Sequence, residues 1–125
     1  MKITPHQHPP RPAEPPDVAL LERTAELLRA LADPLRLKLV LTLARGEACV
    51  SELVDSQDAG LSTVSQRLKL LRQVGLVSRR REGKHIFYQL ADAHVRELVD
   101  NALAHAAHTH SPSDPSPSTT LESSP

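Results

Sequence analysis

Apolar side chains recur at helical spacing through the first half of the chain. From Val18 to Ala32, Leu20, Leu21, Leu27, Leu28 and Leu31 are interleaved with Glu22, Arg23, Glu26 and Arg29, the pattern of an amphipathic helix. Asp33-Pro34 then supplies a helix-capping carboxylate and a proline suited to a first helical position, so a second helix is expected to start there. It carries Leu35, Leu39, Val40 and Leu43 and stops near Gly46. A short helix follows over Val50–Ser56, with Leu53 and Val54 inward, and Gly60 breaks it. Ser62 is expected to cap the next helix, Thr63 to Val74, whose Val64, Leu68 and Leu71 fall on one face. A short helix, a glycine turn and a second helix make a helix-turn-helix.

The period then shortens. Leu76–Arg79 and His85–Leu90 suit two strands, the second rich in β-formers. Arg80-Arg81-Glu82-Gly83-Lys84 joins them, and Gly83 suits a hairpin turn. A cationic hairpin directly after a helix-turn-helix is a wing. The last helix, from about Asp92 to about His108, places Val95, Leu98, Val99, Ala102 and Leu103 on its apolar side. The expected fold is mostly α with a small β-hairpin: a winged helix-turn-helix in the order α-α-α-α-β-β-α.

Composition sets the limits of that domain. Residues 1–16 hold six prolines, and residues 111–125 are almost entirely Ser, Thr, Pro and Asp. Both stretches are expected to be disordered tails around one domain at residues 17–110, because they bury too little apolar surface to offset chain entropy. A domain of that size gains from burying more surface in a dimer. Cys49 is the single cysteine, which excludes an intramolecular disulfide framework and suits a reducing compartment. No leader-like apolar run opens the chain, and no stretch approaches the roughly 20 apolar residues that span a bilayer. A cytoplasmic protein without a membrane partner is expected.

Charge changes the picture through its distribution. The net charge is zero, yet Arg67, Lys69, Arg72, Arg79, Arg80, Arg81 and Lys84 face Glu82 alone within one segment. That segment has a surplus of six positive charges, and the rest of the chain has the opposite surplus. A local basic stripe is what a phosphate backbone meets. Polar residues at the start of a helix can reach base edges in the major groove, and Ser62, Thr63, Ser65 and Gln66 occupy that turn, with Arg67 and Lys69 behind them. Arg79, Arg80, Arg81 and Lys84 of the wing suit phosphates. The expected partner is double-stranded DNA.

A second constellation lies on the last helix: Asp92-Ala93-His94 and His105-Ala106-Ala107-His108. His94 and His105 are eleven residues apart, close to three full turns, so they share a face with His108. At about 1.5 Å per residue the two pairs are about 16–20 Å apart, so one chain cannot close all four ligands on one ion. An antiparallel copy of the helix can, because Asp92 with His108, and His94 with His105, are each centred near residue 100. A two-fold axis there gives a homodimer with two identical sites, each built from Asp92 and His94 of one chain and His105 and His108 of the other. Three nitrogens and one oxygen suit tetrahedral zinc(II) or cobalt(II).

Over about residues 18–110 the chain resembles the ArsR/SmtB family of metal-responsive repressors. The resemblance rests on Leu31-Ala32-Asp33-Pro34-Leu35-Arg36, on the run from Leu61 to Leu71, on Gly75-Leu76-Val77, and on the Asp-x-His/His-x-x-His helix. It implies that Asp92, His94, His105 and His108 are inducer ligands, and that an apo dimer holds a palindromic operator and releases it when metal binds. Gln66 stands where many relatives have His, so operator preference does not carry over. Relatives that sense arsenic or lead use two cysteines where this chain has only Cys49. A second site from Cys49, Glu52 and tail His6 or His8 is one reading of that region; a half-buried, small, apolar thiol is the other. The family's nickel/cobalt sensors add tail residues to the same helix motif, and His110 sits two residues beyond His108, so nickel(II) stands as the alternative to zinc(II). No catalytic role is expected. All four ligands are used, no substrate cleft for an organic small molecule is evident, and Ser62 and Ser65 lack a placed base. A regulator of the same fold with no metal effector is the remaining alternative.

Overall fold

Side-chain caps explain where the first helices begin in the computed structural model, which describes residues 14–109. Asp17 Oδ1 accepts from Leu20 N (2.8 Å) at the start of α1, Val18–Leu31. Asp33 Oδ2 accepts from Leu35 N (3.1 Å) and Arg36 N (3.0 Å), and Pro34 opens α2, Pro34–Ala44, as its sequence requires. The Arg36 side chain turns back and donates from Nε to Ala30 O (2.8 Å), satisfying the end of α1. These backbone donors and Arg36 hold the Asp33 carboxyl below its ordinary value.

After α2 come β1, Ala48–Cys49, and α3, Val50–Gln57. α4 spans Leu61–Gln73, β2 Val77–Glu82, β3 His85–Leu90 and α5 Ala93–Thr109. The sheet is antiparallel in the order β1-β3-β2. The order α-α-β-α-α-β-β-α corrects the expected one by a strand. β1 is only two residues long and shows no alternation; it exists because Ala48 and Cys49 pair with Tyr88 and Phe87.

Three local expectations are also corrected. The cap of α4 is Gly60, and Ser62 lies inside the helix. Asp58, in the left-handed region at φ 54°, closes α3, so the break falls before Gly60. The hairpin turn is just Gly83-Lys84, with Gly83 at φ +64°, so Arg80, Arg81 and Glu82 belong to a strand and alternate between its faces. The expected disordered tails lie mostly outside the described residues.

The core is aliphatic, as the scarcity of aromatics dictates. Leu39 and Val40 of α2, Leu53 of α3, and Val64, Leu68 and Leu71 of α4 are fully buried with Leu76. Each such side chain contributes about 1.5–3 kcal/mol by burial. α2 is the hub, packing on α1, α3, α4, α5 and β3. Val95 and Val99 seat α5 on this core, and Arg96 donates to Ala44 O at the end of α2. The apolar stripes of the two outer helices are only partly covered. Val18, Leu20, Leu21 and Leu28 of α1 and Leu98 and Leu103 of α5 remain exposed.

Candidate nucleic-acid interface and metal ligands

α4 shows solvent one face. Its buried stripe leaves Ser62, Thr63, Ser65, Gln66 and Lys69 exposed together. Arg67 departs from the expected set. It is half-buried and turned toward α3, where Nη1 donates to Gln57 Oε1 at 2.7 Å. Leu61, the first helical residue, is exposed beside the polar group and was not among the expected site residues.

The wing is rearranged by its third strand. On β2, Arg79 and Arg81 share one face and Arg80 takes the other. Arg80 forms a fork with Glu47, from Nη2 to Oε1 (2.7 Å) and from Nε to Oε2 (2.9 Å). Its Nη1 donates to Glu82 Oε1 (2.9 Å), and its guanidinium carbon lies 4.9 Å from the centre of the Phe87 ring. The Glu47 bond, then the Glu82 bond, hold the guanidinium above its ordinary pKa, and Arg80 in turn holds the Glu47 carboxyl below its own. Three of the five Arg80 N–H donors are thus engaged within the wing, while its side chain stays 43% exposed. Arg79, Arg81 and Lys84 are exposed, and Arg81 Nε donates to Gly83 O (3.3 Å) across the turn. Arg72 is half-buried. Within this segment the exposed basic residues outside these ion pairs are therefore Lys69, Arg79, Arg81 and Lys84.

On α5, Asp92 and His94 meet, with His94 Nδ1 at 3.6 Å from Asp92 Oδ1. That oxygen also accepts from Val95 N (3.2 Å), so the carboxylate is fixed by the helix start. His94 is 91% exposed, and His105 and His108 stand exposed three turns further along. Among the described residues, no three His, Cys, Asp or Glu side chains converge on a point that could hold an ion. One chain thus brings together one pair at each end of α5 and does not bring the pairs to each other.

Cys49 and Glu52 are neighbours with a structural task. Glu52 Oε1 accepts from Cys49 N (2.9 Å), which caps α3 and lowers the Glu52 pKa. Cys49 Sγ lies 3.2 Å from Ser51 Oγ. His6, His8 and His110 lie outside the described residues. Glu47 and Gln57, the two partners that sequence reasoning missed, sit 33 and 10 residues from the arginines they hold. No local pattern connects them.

A three-helix core, a helix-turn-helix at α3 and α4, and a β2–β3 hairpin beside it define a winged helix-turn-helix protein. Residues 33–79 match the family model described as bacterial regulatory protein, arsR family. The chain is 43% identical over 108 residues to the HTH-type transcriptional repressor SmtB of Mycobacterium tuberculosis, covering 81% of this chain and 80% of that one. It is 39% identical to the HTH-type transcriptional regulator NmtR of the same organism, covering 80% of this chain and 83% of the relative. The solution structure of apo-NmtR superposes with a TM-score of 0.66 at 38% identity, covering 89% of this chain and 94% of that one. The homodimeric winged helix-turn-helix DNA-binding domain of a possible ArsR-family regulator from Mycobacterium bovis superposes at 0.70 with 34% identity, covering 78% and 96%. The chain belongs to the arsR family of bacterial regulatory proteins.

Proposed function

We propose that this protein is a metal-sensing transcriptional repressor. It acts as a homodimer that holds operator DNA without metal and releases it when zinc(II) binds between the two chains. Ser62, Thr63, Ser65 and Gln66 read base edges, and Leu61 offers an apolar contact suited to a thymine methyl. Lys69, Arg79, Arg81 and Lys84 hold phosphates. The uncovered apolar faces of α1 and α5 are the dimer surface.

The observation that carries the metal reading is the placement of two exposed ligand pairs at opposite ends of α5, spaced so that Asp92 with His108, and His94 with His105, are each centred near residue 100. Asp92 and His94 of one protomer with His105 and His108 of its partner supply three nitrogens and one oxygen, a set that fits zinc(II). The ion joins the protomers and favours a dimer geometry in which the two reading helices no longer match successive major grooves. Metal then weakens DNA binding by the factor by which DNA weakens metal binding, typically about 5–150-fold. Nickel(II) or cobalt(II) is the second reading, favoured by His110 two residues beyond His108; six-coordinate rather than four-coordinate cobalt absorption would select it.

Mixing subunits tests the site. Asp92→Ala/His94→Ala chains and His105→Ala/His108→Ala chains should each lose tight zinc binding, and their mixture should recover one intact site per heterodimer. No recovery in a mixture shown to exchange subunits would overturn ligation between chains.

A further inference from the structure

Gln57 is the one buried polar side chain among the described residues, 4% exposed at the end of α3. Both ends of its amide are engaged. Nε2 donates to Leu35 O in the first turn of α2 (3.1 Å), and Oε1 accepts from Arg67 Nη1 on α4 (2.7 Å). Three helices therefore meet at one amide. A buried amide is costly unless its partners are in place, and the bond to a guanidinium is of the stronger, charge-assisted kind. Burial alone would be met by a leucine at this position, so the amide must be judged by what its direction does.

α4 is otherwise held by Val64, Leu68 and Leu71, and apolar contact is non-directional. Such a stripe sets which face points inward without fixing the rotation of the helix closely. Arg67 lies between Gln66 and Lys69, within the stretch that faces DNA. A directed bond at this point sets the angle at which Ser62, Thr63, Ser65 and Gln66 stand out.

From this geometry we infer that Gln57 is a positioning residue for sequence reading: through Arg67 it sets the rotation of α4, and Arg67 is a brace rather than a phosphate contact. The inference rests on the reading of α4 as the helix that enters the major groove.

The test uses the full-length protein and a duplex selected from a random library by the wild type. Two quantities are measured: the ratio of affinities for selected and random duplex, and the salt dependence of binding. Gln57→Leu and Arg67→Met should each lower the ratio about tenfold, the loss expected for a single bond to a charged group. The double variant should be no worse than either single one. Gln57→Glu keeps the acceptor for Arg67 but gives up the donor to Leu35 O, so its ratio should fall between those of Gln57→Leu and the wild type, and circular dichroism of each variant guards against one that fails to fold. The salt slope should stay at its wild-type value in all four. If Arg67→Met shallows the slope by about one unit per chain while Gln57→Leu keeps the wild-type ratio, Arg67 is a phosphate contact and the inference is overturned. If the wild type selects no duplex, the DNA-reading assignment itself fails, an outcome distinct from a selective wild type with unaffected variants.

Discussion

Replacing Arg81 with Gln should shallow the salt dependence of DNA binding, whereas removing the charge of Arg80 together with that of Glu47 should not. Both arginines are on β2, one residue apart, and the sequence offers no reason to separate them. The sheet does: Arg81 is exposed on the face shared with Arg79, and Arg80 is forked onto Glu47 and bonded to Glu82. Each phosphate neutralised contributes about 0.9 to the slope of log K against log salt, so losing one contact per wing in a dimer should reduce that slope by about 1.8. At 0.1 M salt the same term corresponds to about eightfold per contact, or about 60-fold for both wings. Arg80→Gln/Glu47→Gln leaves local charge unchanged and removes no phosphate contact, so its slope should match the wild type. Its affinity should fall only as far as the wing loosens. Fluorescence anisotropy with a labelled duplex across a salt series reads both slopes. An equal flattening in the two proteins would refute the division of the wing into phosphate-binding and bracing arginines.

Acid should loosen the wing. The Glu47 carboxyl is held below its ordinary value of 4.5 by Arg80, so the brace contributes fully above about that pH and is lost as pH falls through the lowered value. The Arg80 Nε–H resonance should shift in that acid window in the wild type and not in Glu47→Gln; a resonance insensitive to both changes would argue against the fork. At the outer face of α1, Leu21→Glu/Leu28→Glu should yield a folded monomer by light scattering, since both side chains are about half exposed in the single chain. A dimer of wild-type affinity would place the interface elsewhere.

The features legible in the sequence were those encoded within a few residues. The 3.6-residue period marked α1, α4 and α5, Asp33-Pro34 marked the start of α2, and the β-formers of His85–Leu90 marked the wing. The four-ligand spacing on α5 also followed from helix dimensions alone, including the conclusion that one chain cannot complete the set. What escaped was long-range. β1 is defined by its pairing with β3, and no property of Ala48-Cys49 by itself predicts a strand. Arg67, Arg79, Arg80 and Arg81 are equivalent as letters; what separates them is that Arg67 meets Gln57 and Arg80 meets Glu47, which the fold brings in from elsewhere. The misplaced cap of α4 has a related cause. Ser62 is the better capping residue by type, but the left-handed turn at Asp58 brings the chain into helical register two residues earlier.

The bond from Val95 N to Asp92 has a consequence for the proposed metal site. The carboxylate is already tied to the helix start by one bond, so an arriving ion has less freedom to remove from it than from an untethered side chain. His105 and His108 occupy the opposite end of α5, whose last turns lie past the two valines that seat the helix on the core. An ion held between the helix start and the last turns of the partner's α5 would act as a splint, and its ordering effect would fall on the distal turns. Metal would then register as slowed amide exchange from Ala102 to Thr109, with the turn at Asp92 scarcely changed.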